Sequence, residues 1–304
     1  MDPLPDRPAG GGATPGALHI VSTPIGNLAD ISQRAIDVLR GASLIVAEDS
    51  RVARVLLGSL AIDTPLASLP AFDEAGRIGP IVDRLLAGEA VALISDAGTP
   101  LLSDPGSHLV ASAVERGIRI VPIPGASALL AAIVASGVAG PRWSFEGFLP
   151  RAGVERAAAL AAIAADARAT VVYEAGNRVA ATLADLADAC GGERPAALCR
   201  ELTKLHEEIR RGSLAELAAA AASGSIDLRG EFALVVGAAA PSAPPDPLDP
   251  DGPYPPALLA VERAVAGGEA RSRAIRRIAD AWGLDRRRLW DAAHAGGRRD
   301  EAGR

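Results

Sequence analysis

The sequence predicts an α/β protein: two α/β domains followed by a small helical module. Three observations carry this. Short apolar runs alternate with amphipathic stretches from Leu18 onward. A second series of the same kind begins after the breaker Pro122-Ile123-Pro124-Gly125 and runs to Gly237. Eight prolines within the sixteen residues from Pro241 to Pro256 then set a basic C-terminal segment apart. Strands alternating with helices argue for mostly parallel sheets with helices on their faces. The predicted organisation is a flexible tail over 1–17, α/β domains over 18–122 and 123–240, a semi-rigid linker over 241–256, and a three-helix tail over 257–304.

In the first half, Leu18–Ser22, Leu44–Ala47, Val91–Ile94 and Ile118–Val121 read as strands. Ile31–Arg40, Arg51–Leu57, Arg77–Ala87 and Ser107–Arg116 read as helices between them. Gly41, Gly58, Gly88 and Gly117 stand where left-handed C-caps need glycine. Asp30 with Gln33 fits a capping box, and Asp104-Pro105 fits an N-cap followed by a first-turn proline. In the second half, Ser144–Phe148, Thr170–Tyr173, Ala196–Cys199, Glu207–Arg211 and Glu231–Val236 read as strands. Helices are expected at Ala128–Ala135, Val154–Ala165, Arg178–Ala189 and Leu214–Ala222. No helix fits between Cys199 and Glu207–Arg211, which predicts antiparallel pairing there. Beyond the linker, Ala257–Ala266, Ala270–Trp282 and Arg286–Ala293 read as helices, with Gly283 as a turn.

Composition narrows the classes. The net charge of −6 argues against a uniformly basic nucleic-acid coat. Residues 253–304, however, hold eleven arginines against seven acids, a net of +4. Aromatics are only 3%, and Lys204 is the lone lysine. Cys190 and Cys199 have neither metal nor disulfide spacing and read as buried small residues in a reducing compartment. No apolar run reaches the length of a membrane span, and residues 1–17 lack the apolar core of a signal peptide. A soluble cytoplasmic protein with no membrane partner and no metal is expected.

The chemistry-bearing segments lie at strand ends, where open α/β sheets hold ligands. The most informative is SDAGTPLLSDPG over Ser95–Gly106, between a predicted strand and a predicted helix. Others are TPIGNL at 23–28, AEDSR at 47–51, PGASA at 124–128, FEGFLPR at 145–151, Tyr173–Arg178, RELTKLHEEIRRGSLAEL at 200–217 and GEFALVVG at 230–237. Ser127 is placed to cap the helix that follows it. Neither GxGxxG nor GxxxxGK[ST] occurs, which disfavours dinucleotide and triphosphate cradles. Small residues at strand ends let backbone approach a ligand closely.

In order and spacing these segments resemble the tetrapyrrole methylase superfamily and, within it, the ribosomal RNA small subunit methyltransferase I family. The resemblance spans about Leu18 to Gly237, and the three-helix tail is similar to a module many members carry. It implies two α/β domains with S-adenosylmethionine in the cleft between them, a homodimer, and methyl transfer to the ribose 2′-oxygen of a cytidine in the decoding region of 16S ribosomal RNA, within the 30S subunit. By position it assigns Pro24, Asp96, Ala97, Gly98, Thr99, Leu101, Ser127, Ala128, Tyr173, Glu174, Leu202, Phe232 and Ala233 to cofactor contacts. The chain departs from the family pattern at Leu69–Glu74, where only Glu74 of a histidine-rich segment remains, and at Tyr173–Arg178, where Ser-Pro-His usually precedes the arginine.

A ribose hydroxyl is a poor nucleophile while protonated, so an acceptor nearby would help. Candidates on the matching motifs are Asp49, Glu201 and Glu48; the two acids at 48–49 also suit a cap for the helix that follows. Glu201 with Lys204 is equally read as a surface pair. Arg51, Arg200 and Lys204 are candidates for flanking phosphates. In the tail, Arg271, Arg273, Arg276, Arg277, Arg286, Arg287 and Arg288 cluster with Trp282 and Trp290, which reads as either a solvated face or an RNA-docking module. Two alternatives to RNA methylation stay open: a methylase of a tetrapyrrole or other small substrate in the same fold, and a non-catalytic RNA-binding descendant.

Overall fold

The computed structural model describes residues 12–70, 73–239 and 253–295. The chain divides into two compact units, Met1–Ala239 and Ala240–Arg304.

The first unit opens with β1 (Ala17–Val21), α1 (Gln33–Gly41), β2 (Leu44–Ala47), α2 (Ser50–Ser59), β3 (Leu66–Ser68), α3 (Glu74–Leu86), β4 (Val91–Ile94), α4 (Ser107–Glu115) and β5 (Arg119–Ile123). These five strands form one sheet, ordered β3-β2-β4-β1-β5 and parallel throughout. β1, β2 and β4 are buried along their full length, as a parallel sheet covered on both faces requires. Alternate residues feed two cores. Leu18, Val46 and Leu93 pack with Ile81, Leu85 and Leu109 of α3 and α4. Val21, Ile45 and Ile94 pack with Val38, Leu39 and Leu57 of α1 and α2.

The unit continues through α5 (Ala128–Ser136), β6 (Trp143–Phe148), α6 (Gly153–Ala165), β7 (Ala169–Ala175), α7 (Gly176–Cys190), β8 (Pro195–Arg200), β9 (Glu208–Ser213), α8 (Leu214–Ala222) and β10 (Glu231–Val236). Its second sheet runs β6-β7-β10-β8-β9. Only β6 and β7 pair in parallel; β10 runs antiparallel to both its neighbours, and β8 to β9. Leu183, Leu186 and Leu217 from α7 and α8 cover one face. Leu129 and Ala132 of α5 cover the other, joined by Ile25 from the first sheet's side and by Leu202.

The second unit is three helices, α9 (Tyr254–Ala266), α10 (Arg271–Trp282) and α11 (Arg286–Ala295). They pack on Tyr254, Val261, Ile275, Ile278 and Leu289, with left-handed Gly283 in the last turn.

Several local expectations are corrected. β3 was not anticipated: three residues carry no periodicity to read. Asp30 does not cap α1. Ser32 does, accepting from the Ala35 amide at 3.1 Å, while Asp30 ends a 3-10 turn capped by Asn27. Gly41 and Gly58 lie inside α1 and α2; of the four expected caps, Gly88 and Gly117 take the left-handed conformation. Asp104 does not cap α4, whose N-terminus follows left-handed Gly106. Its His108 and Leu109 amides donate instead to buried Glu74, at 3.1 and 3.3 Å. Much of the expected tail at 1–17 and linker at 241–256, like Ala71 and Phe72, lies outside the described residues. Where described, the Thr14 amide donates to His19 Nε2 at 3.0 Å, and Pro255 and Pro256 sit in the first turn of α9. A first-turn proline lacks only an amide that has no helical partner anyway.

Candidate functional site

The carboxyl ends of β2, β4 and β5 and the near edge of the second sheet enclose a cavity of about 380 Å³. It lies outside the strand ends, where the fold class places ligands. One wall is the Ser95–Gly106 loop. Hydroxyls from neighbouring strand ends fix its base. Thr23 Oγ1 donates to the Ser95 and Gly98 carbonyls at 3.2 and 3.3 Å. Thr99 Oγ1 donates to the Ala126 carbonyl at 3.1 Å and lies 3.0 Å from Ser22 Oγ. The loop holds positive φ at Gly98, Leu101, Ser103 and Gly106. Such backbone is costly for Leu and Ser and persists only where surroundings enforce it, which is common at ligand sites. A Cβ on Gly98 would lie 3.0 Å from Ile25 Cγ2, and its φ of +84° is one that a side chain rarely adopts, so at Gly98 the wall is bare backbone.

The opposite wall comes from the second sheet. Tyr173 meets Phe145 and Phe148 edge-to-face, with ring centroids 4.9 and 5.8 Å away. Glu174 is fully buried, accepting from Thr182 Oγ1 at 2.7 Å and the Ala175 amide at 2.9 Å, and paired with Arg178 at 3.3 Å. Phe232 and Ala233 lie opposite Glu174 and Tyr173 across the β10–β7 ladder.

The site is electronegative. Burial, with Asp96 and Asp49 nearby, raises the proton affinity of Glu48. Burial, then the charges of Glu48 and Asp96, pushes Asp104 up to about 6 against the opposing hydrogen bond from Ser95. A half-enclosed space with surplus negative charge and a largely apolar opposite wall suits a ligand that is cationic at one end and flat and apolar at the other.

Of the expected cofactor residues, Asp96, Ala97, Gly98, Thr99, Ser127, Ala128, Tyr173, Glu174, Leu202, Phe232 and Ala233 line this cavity. Pro24 and Leu101 do not; Leu101 packs toward the first sheet's core. Among the candidate acceptors only Glu48 lines it. Asp49 caps α2 and pairs with Arg51 at 2.6 Å, which holds its carboxyl down at about 2. Glu201 is held by Lys204 at 2.8 Å and by the Glu231 amide at 2.9 Å, and Lys204 lowers its pKa. Neither is placed to accept a proton in the cavity.

Arg51 is exposed apart from its Asp49 pair. Arg200 is mostly buried, donating to the Arg229 carbonyl at 2.8 Å and Asp227 at 3.0 Å. Lys204 bridges Glu201 and Glu231, both at 2.8 Å. Arg200 and Lys204 therefore clasp the site's edge. On the second unit, Arg271 donates to the Ala293 carbonyl and Arg277 pairs with Glu269, while Arg276 and Arg287 are exposed. Sequence reasoning missed Asp104, Phe148, Cys199 and Glu231 as lining residues. Asp104 was absorbed by its resemblance to a cap, and Phe148 lay in a quoted motif with no polar atom to draw attention.

No helix among the described residues is long and apolar enough to cross a membrane. Residues 17–218 match the family model for Tetrapyrrole (Corrin/Porphyrin) Methylases. The Ribosomal RNA small subunit methyltransferase I of Pseudomonas aeruginosa is 50% identical over 73% of this chain and 78% of its own. The protein of that name from Mycobacterium bovis is 41% identical over 91% of this chain and 94% of its own. Among solved structures, a cobalt precorrin-4 methyltransferase of cobalamin biosynthesis superposes with a TM-score of 0.57 at 17% identity, covering 73% of this chain and 95% of that one, a likeness of fold. The chain belongs to the tetrapyrrole methylase superfamily and, within it, to the ribosomal RNA small subunit methyltransferase I family.

Proposed function

We propose that this protein methylates small-subunit ribosomal RNA with S-adenosylmethionine, at the ribose 2′-oxygen of a cytidine in the decoding region. The observation that carries this is the cavity: the positions that the family pattern marks for the donor, apart from Pro24 and Leu101, line one space. Its chemistry fits that donor. Glu48 and Asp96 face positive charge, backbone at Gly98 admits close approach, and Tyr173 with Phe232 offers apolar surface to an adenine ring.

When bound, S-adenosylmethionine supplies a methyl group already activated on a sulfonium sulfur. What remains for the protein is placement. Asp96–Thr99 and Ser127–Ala128 hold one end of the donor, and Tyr173, Leu202, Phe232 and Ala233 hold the other. The buried Glu174–Thr182–Arg178 network keeps β7 and α7 rigid beneath it. Fixing the ribose hydroxyl at attack distance converts a bimolecular step to an intramolecular one, worth several orders of magnitude. The exposed arginines of α10 and α11 bind phosphates of the same RNA. Work as a homodimer, on the 30S subunit, in the cytoplasm, with α/β domains divided near residue 122, completes the proposal.

Labelled S-adenosylmethionine offered with 30S subunits, free 16S RNA and a porphyrinogen tests it. Label in 30S-bound RNA is expected. Label in the porphyrinogen alone, or donor binding without transfer to any of the three, overturns the reading.

A further inference from the structure

Five carboxylates line the cavity: Glu48, Asp96, Asp104, Glu174 and Glu231. Three already have partners or a role. Glu174 is locked to Thr182, the Ala175 amide and Arg178. Glu231 pairs with Lys204 at 2.8 Å. Asp96 accepts from the Asp49 amide at 3.2 Å and belongs to the donor's end of the cavity in the reading above. Glu48 stands at the end of β2, on the first sheet's side. Asp104 lines the cavity from the Ser95–Gly106 loop, the wall that reaches across to the second sheet. Its neighbour Ser103 abuts the second sheet where β6 bulges: a Cβ on Gly147 would come within 3.0 Å of Ser103 Oγ. The Asp104 charge is also felt by Tyr173 of β7. The bulge aims Phe148 into the same cavity with its ring half-exposed, 54% accessible. Exposed aromatic rings are what an unstacked nucleobase rests on.

We propose that Asp104 is the proton acceptor for the RNA ribose hydroxyl in the reaction proposed above, on which this inference rests. The ribose oxygen bonds to the methyl carbon as the sulfur–methyl bond breaks, and that bond's electron pair stays on sulfur. The hydroxyl proton passes to an Asp104 carboxylate oxygen and from there to solvent.

The surroundings suit the task. Burial and the facing charges of Glu48 and Asp96 raise Asp104 to about 6, only partly opposed by the nearby Ser95 hydroxyl. A base works best when its pKa lies just below the working pH: ionised, yet far more basic than an ordinary aspartate. Positive φ at Ser103 and at Gly106 sets the path of the loop backbone around Asp104.

The test uses full-length protein, 30S subunits and saturating donor, with single-turnover rates from pH 5 to 8. Wild type is expected to rise with pH to a plateau, with the inflection at or below about 6 because the bound cationic donor favours the ionised carboxylate. Asp104→Asn is expected to lose about 100-fold or more and the inflection with it, while S-adenosylhomocysteine binds within about threefold of wild type by calorimetry, which also certifies folding. Asp104→Glu is expected to recover part of the rate. An Asn variant with the wild-type rate, one that keeps the inflection, or one whose S-adenosylhomocysteine affinity falls in step with the rate overturns the proposal alone. A wild type that transfers no methyl to RNA overturns the functional reading and this inference with it.

Discussion

Replacing Asp104 by Asn should stabilise the protein at neutral pH and not in acid. The folded-state pKa is raised from 3.8 to about 6 by burial, Glu48 and Asp96. Between those values the folded protein binds more protons than the unfolded chain, so stability falls as pH rises through the interval and levels above it. Asn cannot ionise and escapes that loss. Two pH units correspond to a ceiling of about 3 kcal/mol. Partial exposure of the side chain to solvent brings the expectation to roughly 1–2 kcal/mol. Urea unfolding followed by circular dichroism from pH 4 to 8 gives that difference directly. The Asn variant's advantage should grow between pH 4 and 6 and then stay flat. A difference independent of pH, or one that shrinks as pH rises, refutes the reasoning.

Other outcomes follow from the same geometry. Asp96→Ala should weaken S-adenosylhomocysteine binding about tenfold in calorimetry while RNA affinity holds; normal donor binding would move Asp96 out of the donor site. Glu74→Ala strips two amides of α4 of their buried acceptor and should cost about 2 kcal/mol in urea unfolding. The same variant should weaken S-adenosylhomocysteine, because α4 anchors the far end of the Ser95–Gly106 loop. Replacing exposed Arg276 and Arg287 together by Ala should leave donor affinity intact and reduce the slope of log affinity against log salt for RNA by about 2. An unchanged slope would return those arginines to a merely solvated face.

What the sequence made legible followed from periodicity and chain order. Buried β1, β2 and β4 are continuous apolar runs, and the missing helix between Cys199 and Glu208 foretold the antiparallel β8–β9 pair. The Ser95–Gly106 wall was readable because it follows a strand end, whereas Tyr173, Glu174, Leu202, Phe232 and Ala233 were assigned only through the family resemblance. Other features depend on partners remote in sequence. Glu74 caps a helix more than thirty residues away, so the local rule chose Asp104 and thereby hid an acid that lines the cavity. Asp49 and Glu201 sit on matching motifs, yet their neighbours Arg51 and Lys204 claim them. Phe148 enters the cavity only because β6 bulges at Gly147, a register shift that no hydrophobic pattern announces.

The central claim is that this chain places one methyl group on a ribose of small-subunit RNA. A ribose-methylation map of 16S RNA, from cells with and without the gene, reads that atom by atom. The account predicts that a single 2′-O-methylcytidine in the decoding region disappears with the gene and returns when it is restored. A map unchanged by the deletion, or a loss confined to base methylation, would contradict it.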